Sequence, residues 1–154
     1  MSDDIRIRRA RPDEAPALTE FVMRSKAHWG YDEAFMEACR PELTVQPWRI
    51  ETGEIWIADA GGSVAGVVEV QFEADRAEVF LCFVDPSTMG RGVGRALWAK
   101  AEEIARSNGH DEIGVDSDPY AEGFYRKMGA VRVGEAPSGS IRGRVLPRLV
   151  KRLD

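Results

Sequence analysis

Residues 85–97 read "DPSTMGRGVGRAL", and the reading of this stretch decides the fold. Gly90, Gly92 and Gly94 crowd together after the apolar run "AEVFLCFV" (77–84). Downstream, Val93, Leu97, Ala101 and Ile104 recur at helical spacing, and Asn108-Gly109 supplies a stop. The order is therefore strand, glycine loop, helix. Two readings fit it. One is a tight turn. The other is bare backbone that lets a phosphate approach. In the second, the helix from about Gly92 offers its free N–H groups and positive dipole end. Gly92 and Gly94 leave room for a pyrophosphate, and Arg91 and Arg95 add charge. The stretch is not a dinucleotide fingerprint, because it does not follow the first strand and lacks G-x-G-x-x-G. It is not a Walker loop either, since no Gly-Lys-Ser/Thr is present.

Working outward, "IRIRRA" predicts a short strand from Ile5, and Pro12-Asp13 a helix start. Gly30 ends that helix. A second one spans Glu33 to Cys39 and stops before Pro41. Residues 42–53 carry no clear period. "IWIADA" and "SVAGVVEVQFE" flank Gly61-Gly62 as a hairpin. "EIGVD" predicts a strand, "PYAEGFYRKMGA" a short helix ending at Gly129, and "VRVG" and "RLVKRL" two last strands. This alternation is that of an α/β domain with a central mixed sheet.

The chain has 154 residues, which favours a single domain over 1–154. Apolar residues make up 44% and charged ones 31%, as in ordinary globular proteins. A net charge of −5 argues against general nucleic-acid or anionic-membrane binding. Cys39 and Cys82 show no metal-type spacing. With no signal peptide and no apolar run of about 20 residues, the expectation is a cytoplasmic protein with reduced thiols and no metal.

About one helix and one strand beyond the glycines comes "DPYAEGFYRKMGAVRVG" (118–134). The glycine loop and this segment together resemble the GNAT superfamily of acetyl-CoA-dependent N-acetyltransferases. In that family an Arg/Gln-x-x-Gly-x-Gly/Ala loop cradles the CoA pyrophosphate, and Asn-x-x-Ala-x-x-x-Tyr-x-x-x-Gly-Phe follows downstream. The second pattern matches Asp118 to Ala130 with substitutions. The resemblance covers essentially the whole chain. It implies a twisted, mostly antiparallel mixed sheet of about seven strands with about four helices. It also implies acetyl-CoA as cosubstrate. "APSGSIRGRVLP" (136–147) further resembles a bacterial subgroup whose acceptor is unknown.

The same resemblance puts Phe83, Val84 and the loop residues Met89, Gly90, Arg91, Gly92, Val93, Gly94, Arg95 and Ala96 on the cofactor. Asp118, Ala121, Phe124, Tyr125 and Lys127 would join them. Met89 replaces the usual Arg or Gln, and Asp118 the usual Asn. The first costs one side-chain donor. The second weakens a hydrogen bond to the pantetheine arm or the loop.

Amine acetylation needs a deprotonated amine, a stabilised oxyanion and a protonated leaving thiolate. By resemblance Tyr125 is the acid that protonates the thiolate; its other reading is a packing tyrosine. Glu78 is the base candidate, because "AEVFLCFV" resembles the strand of the histone-acetyltransferase branch in which a glutamate precedes the second loop glycine by the same spacing. Alternation would put Glu78, Phe80 and Cys82 on one strand face, where apolar neighbours would raise the carboxyl pKa. An outward-facing glutamate is the other reading, and Glu69, Glu73 or a water chain are rivals. The resemblance also implies that the strand before the loop bulges and splays from its neighbour, which frees the backbone N–H of Cys82 or Phe83 to polarise the thioester carbonyl; the Cys82 side chain is a small apolar wall rather than a nucleophile. His28, Trp29 and Tyr31 either line an amine pocket or pack and solvate as ordinary loop residues. His110 reads as a surface cap.

The expected reaction is direct acetyl transfer in a ternary complex to a primary amine of a small molecule, peptide or protein. A homodimer is admitted, and neither nucleic acid nor membrane is expected. Two other readings stay open: a CoA-binding sensor without catalysis, and transfer of a different acyl group. An acidic chain also suits a cationic acceptor such as a polyamine or aminoglycoside.

Overall fold

The longest strand, β3 (Ser63–Phe72), is apolar at consecutive positions rather than alternate ones, and Ala65 to Val70 are all buried. Such a strand must be covered on both faces. A computed structural model, which describes residues 5–154, shows how. The elements run β1 (Arg6–Arg9), α1 (Ala15–Ala27), α2 (Glu33–Leu43), α3 (Pro47–Thr52), β2 (Glu54–Ala60), β3, β4 (Ala77–Val84), α4 (Val93–Ser107), β5 (Glu112–Asp116), α5 (Glu122–Lys127), β6 (Val131–Pro137) and β7 (Val145–Arg152). They build one sheet in the order β1-β2-β3-β4-β5-β7-β6. Every pairing is antiparallel except β4 with β5.

Two apolar layers cover the sheet. On one face Val93, Leu97, Trp98, Ala101 and Ile104 of α4 pack on Val68, Val70, Val79, Ile113 and Val115. On the other, Leu18, Phe21 and Val22 of α1, with Met36 and Leu43 of α2, pack on Ile55, Ile57, Val67 and Leu81. The α/β reading and the seven strands hold. Among the described residues five α-helices flank the sheet rather than about four. The additional one is α3, in the stretch without a clear period, with Pro47 at its first position, where the missing N–H costs nothing. The second helix does not stop before Pro41 but continues to Leu43. Proline forfeits one bond in that last turn, and burial of Leu43, 5% exposed, outweighs the loss.

One irregularity positions everything that follows. Val70 pairs with Val79 but Glu69 pairs with Leu81, so Phe80 is an extra residue, a β-bulge. Beside it β4 and β5 pair only from Ala77–Ile113 to Val79–Val115. Beyond Val79 the two strands part, and the sheet opens into a V.

Candidate active site

The bulge sets which groups of β4 face the gap. The Asp85 N–H donates to the Ala65 carbonyl of β3 at 2.8 Å. The register carries that bonding to Phe83 opposite Val67, and turns the N–H and C=O of Cys82 and Val84 toward the gap. Cys82 therefore offers a free backbone donor there, and Phe83 does not. The bulge also splits the expected face. Glu78 lies on the α1–α3 side, whereas Cys82 and Val84 pack with the α4 layer.

The gap opens into a cavity of about 710 Å³. Its α4 wall is main chain. Gly92 caps α4 at φ 82°, a left-handed conformation, and Gly90 sits at φ 86°. A β-carbon on either would meet no atom within 4 Å, so the backbone is open to a ligand. Among the described residues, the N–H groups of Gly90, Gly92, Val93, Gly94 and Arg95 donate to no protein acceptor; the first helical bond is from Ala96 to the Gly92 carbonyl. This is the geometry that takes a phosphate. Gly94 differs from expectation. The space its side chain would fill holds the Phe124 ring, 2.9 Å from an ideal β-carbon, so Gly94 serves helix–helix packing. Met89, Gly90, Gly92, Val93, Gly94 and Arg95 border the cavity; Arg91 and Ala96 do not.

The second wall comes from β5 onward. Asp118, Ala121, Phe124, Tyr125 and Lys127 all border the cavity, as do Phe83 and Val84 across from them. Tyr125 is 4% exposed, and burial, with the Cys82 thiol and the Asp118 carboxylate nearby, holds its phenol well above the ordinary value. Burial likewise pushes the Cys82 thiol up to about 11, with Tyr125 opposing. Asp118 does more than border the cavity. It accepts from Lys26 Nζ at 3.0 Å, from the Tyr31 hydroxyl at 2.9 Å and from the Tyr120 N–H at 2.9 Å. Burial alone would raise its carboxyl, but the Tyr120 N–H and the Lys26 ammonium outweigh that and lower it. Lys26 is 9% exposed, so an asparagine here would leave a buried ammonium without a counter-charge.

The third wall is the α1–α2 connection. Trp29 borders the cavity and stacks on Tyr120 at 5.4 Å. Tyr31 does not border it; its ring lies under Arg144, whose Nη2 donates to the Tyr31 hydroxyl at 2.7 Å. His28 is exposed and meets Trp29 edge-on, away from the cavity. His110 stacks on Phe72.

Glu78 needs correction. It does not border the cavity, and its neighbours are not apolar. Arg148 donates to both of its oxygens, at 2.5 and 2.6 Å, and Arg76 to one at 2.7 Å. Burial alone would raise its carboxyl; the two guanidiniums outweigh it, and the pKa is lowered. The apolar-strand reading missed these arginines because both come from outside the strand. Of its rivals, Glu69 is 2% exposed and ion-paired with Arg49, and Glu73 is exposed beyond β3. Cavity residues that sequence reasoning missed include Lys26, Glu42, Phe80, Asp116 and Tyr120. Only Asp116 and Tyr120 lay close enough to the recognised motif to be found. Among the described residues no cluster of His, Cys, Asp or Glu is placed to hold a metal, and no helix is long and apolar enough to cross a membrane.

The family model for the GNAT acetyltransferase domain matches residues 15–139, from α1 to the end of β6. The chain belongs to the GNAT acetyltransferase family. A mycothiol acetyltransferase of Clavibacter sepedonicus is 36% identical over 126 residues, covering 72% of this chain and 41% of that protein. An uncharacterized N-acetyltransferase of Methanocaldococcus jannaschii is 26% identical over 80% of this chain and 59% of its own length. The chain thus spans about two fifths or less of the mycothiol acetyltransferases it matches. Among solved GNAT folds, the PaiA N-acetyltransferase of Thermoplasma acidophilum, in complex with coenzyme A, superposes with a TM-score of 0.77 at 20% identity, over 97% of this chain and 99% of that one. The GCN5-related N-acetyltransferase of Rhodopseudomonas palustris gives 0.80 at 23% identity, over 99% of both.

Proposed function

We propose that this chain, as a single cytoplasmic domain, is an N-acetyltransferase that moves the acetyl group of acetyl-CoA to a primary amine by direct transfer. The observation that carries the reading is the row of unpaired N–H groups at the start of α4, which opens onto the same cavity as Tyr125 and the β4–β5 gap. When bound, acetyl-CoA supplies the acetyl group as a thioester. The α4 N-terminus would hold the pyrophosphate, with Gly90 and Gly92 giving the open backbone. The unpaired main chain of Cys82 and Val84 would take the pantetheine arm as a strand takes its neighbour, and the Cys82 N–H would polarise the reacting carbonyl.

Tyr125 keeps its proton at neutral pH and would give it to the leaving thiolate. A phenol raised by burial is a weaker acid than usual, but the same burial raises a thiol in this spot, as Cys82 shows. A thiolate released there is correspondingly more basic, so the transfer stays feasible. Glu78 is not the base in this reading. Water at the open end of the cavity removes the amine's proton. The free thiols of Cys39 and Cys82 fit a reducing compartment.

The test is acetyl-CoA consumption read by thiol release against a panel of monoamines, polyamines, aminoglycosides and the acceptor of the mycothiol acetyltransferases, with calorimetry of CoA in parallel. Turnover with at least one amine is expected. CoA binding with no turnover on any acceptor would make the chain a CoA-binding module instead.

A further inference from the structure

Two carboxylates flank the point where β4 and β5 part, the Glu78 side chain 18% exposed and the Asp116 side chain 44%. Both oxygens of Glu78 are filled by guanidinium N–H groups. Asp116, the last residue of β5, accepts from Arg148 Nη1 at 3.1 Å through Oδ1 alone. Its Oδ2 has no hydrogen-bond partner among the described residues, and Asp116 borders the cavity. We propose that Asp116 is the carboxylate on which the acceptor's ammonium docks, and that Arg148, held by Glu78, positions it. The proposal rests on the amine-transfer reading and names the group that selects a cationic acceptor.

The bridge is built into the sheet. Arg148 stands on β7 and reaches across β5 to Glu78 on β4. It passes over Gly114, a glycine in the middle of a buried strand. An ideal β-carbon there would lie 2.8 Å from Glu78 Oε2 and against the Arg148 guanidinium, so any other residue would push the bridge off the sheet. The pair is well enclosed, with side chains 17% and 18% exposed. Arg148 makes two bonds to Glu78 and one to Asp116. Arg76 and Arg148 together face Asp75, Glu78 and Asp116, two cations against three carboxylates, so the group keeps one negative charge. Asp116 is thereby fixed in direction while keeping negative charge for a ligand. The cavity's buried cation, Lys26, is paired with Asp118 on the other side and does not compete. Phe80 also borders the cavity, with the Arg49 guanidinium over its ring at 5.2 Å.

The experiment uses the amine that the thiol-release panel identifies. Asp116→Asn keeps shape and removes charge. Its acceptor KM should rise about tenfold or more, the loss of one charged contact, while the acetyl-CoA KM stays within about twofold. The salt dependence of acceptor kcat/KM should flatten. Arg148→Met should raise the acceptor KM similarly, and Arg148→Lys should recover part of it. A merely structural role for Arg148 would shift both KM values together. Calorimetry of the panel amines with the CoA-saturated protein reads docking where turnover is absent. An acceptor KM or Kd within twofold of the parent in Asp116→Asn overturns this proposal and leaves amine transfer standing. A parent that neither acetylates nor binds any amine overturns both.

Discussion

On the α4 side of the cavity the binding surface is main chain, and on the α1–α3 side of the sheet it is side chain. The first needs a strand, two left-handed glycines and a helix that starts at Val93. All lie within one short stretch, and no single side chain is indispensable, which is why Met89 can stand where Arg or Gln is usual. The second needs Lys26 from α1 to meet Asp118, and Glu78 from β4 and Asp116 from β5 to meet Arg148 from β7. Main-chain sites tolerate sequence change but not a lost conformation. Side-chain sites fail one partner at a time, because each removal leaves a charge unanswered.

The sharpest way to break the comparison is Gly92→Glu. At φ 82° any side chain is strained, and a carboxylate would stand where phosphate charge is expected. CoA affinity should fall about 100-fold or more, a little under 3 kcal/mol, by calorimetry on a variant whose circular dichroism matches the parent. Retained affinity would show that the α4 N-terminus is only a turn.

Tyr125→Phe tests the junction of the two sides. Loss of a positioned acid should lower turnover about 100-fold. CoA affinity should not change, since only the hydroxyl is removed. Turnover within a few-fold of the parent, when chemistry limits the rate, would reduce Tyr125 to packing.

The legibility of the sequence follows the same division. The glycine loop, the apolar strand before it and the Asp118–Gly129 segment are local in the chain, so their spacing carries the fold and the main-chain wall. The bulge at Phe80 is not local. It is a register step against Glu69, and nothing in "AEVFLCFV" says where along the strand it falls. The resemblance implied a bulge in this strand but not its position, so strict alternation put Glu78 and Cys82 on one face, when the step puts them on opposite faces. Arg148 was invisible for a related reason. It is 70 residues from Glu78, and only the sheet order β4-β5-β7 brings it over Gly114. Gly114 itself was a signal that could have been used, since a glycine inside a buried strand asks what occupies its missing side chain.

Glu78→Gln separates the two sides with the smallest effect on chemistry. A catalytic base would give a variant that is worst at low pH and recovers as the amine deprotonates in solution. The geometry predicts otherwise. With both oxygens filled and its pKa lowered, Glu78 does not titrate where amine transfer gains rate. The pH–rate profile should keep its shape, while the acceptor KM rises a few-fold as Arg148 loosens. Stability should respond more. The variant should lose about 2 kcal/mol at neutral pH, the scale of charged hydrogen bonds removed from a mostly enclosed pair. Because the folded pKa lies below the unfolded one, about 4.3, Glu78 contributes fully above that value and loses its contribution as pH falls through the folded value. Urea unfolding of both proteins at pH 7 and in steps below pH 4 should therefore show the stability gap closing in acid. A gap that stays constant would mean the ion pair adds nothing to the fold. A profile that moves with the substitution would return Glu78 to the chemistry.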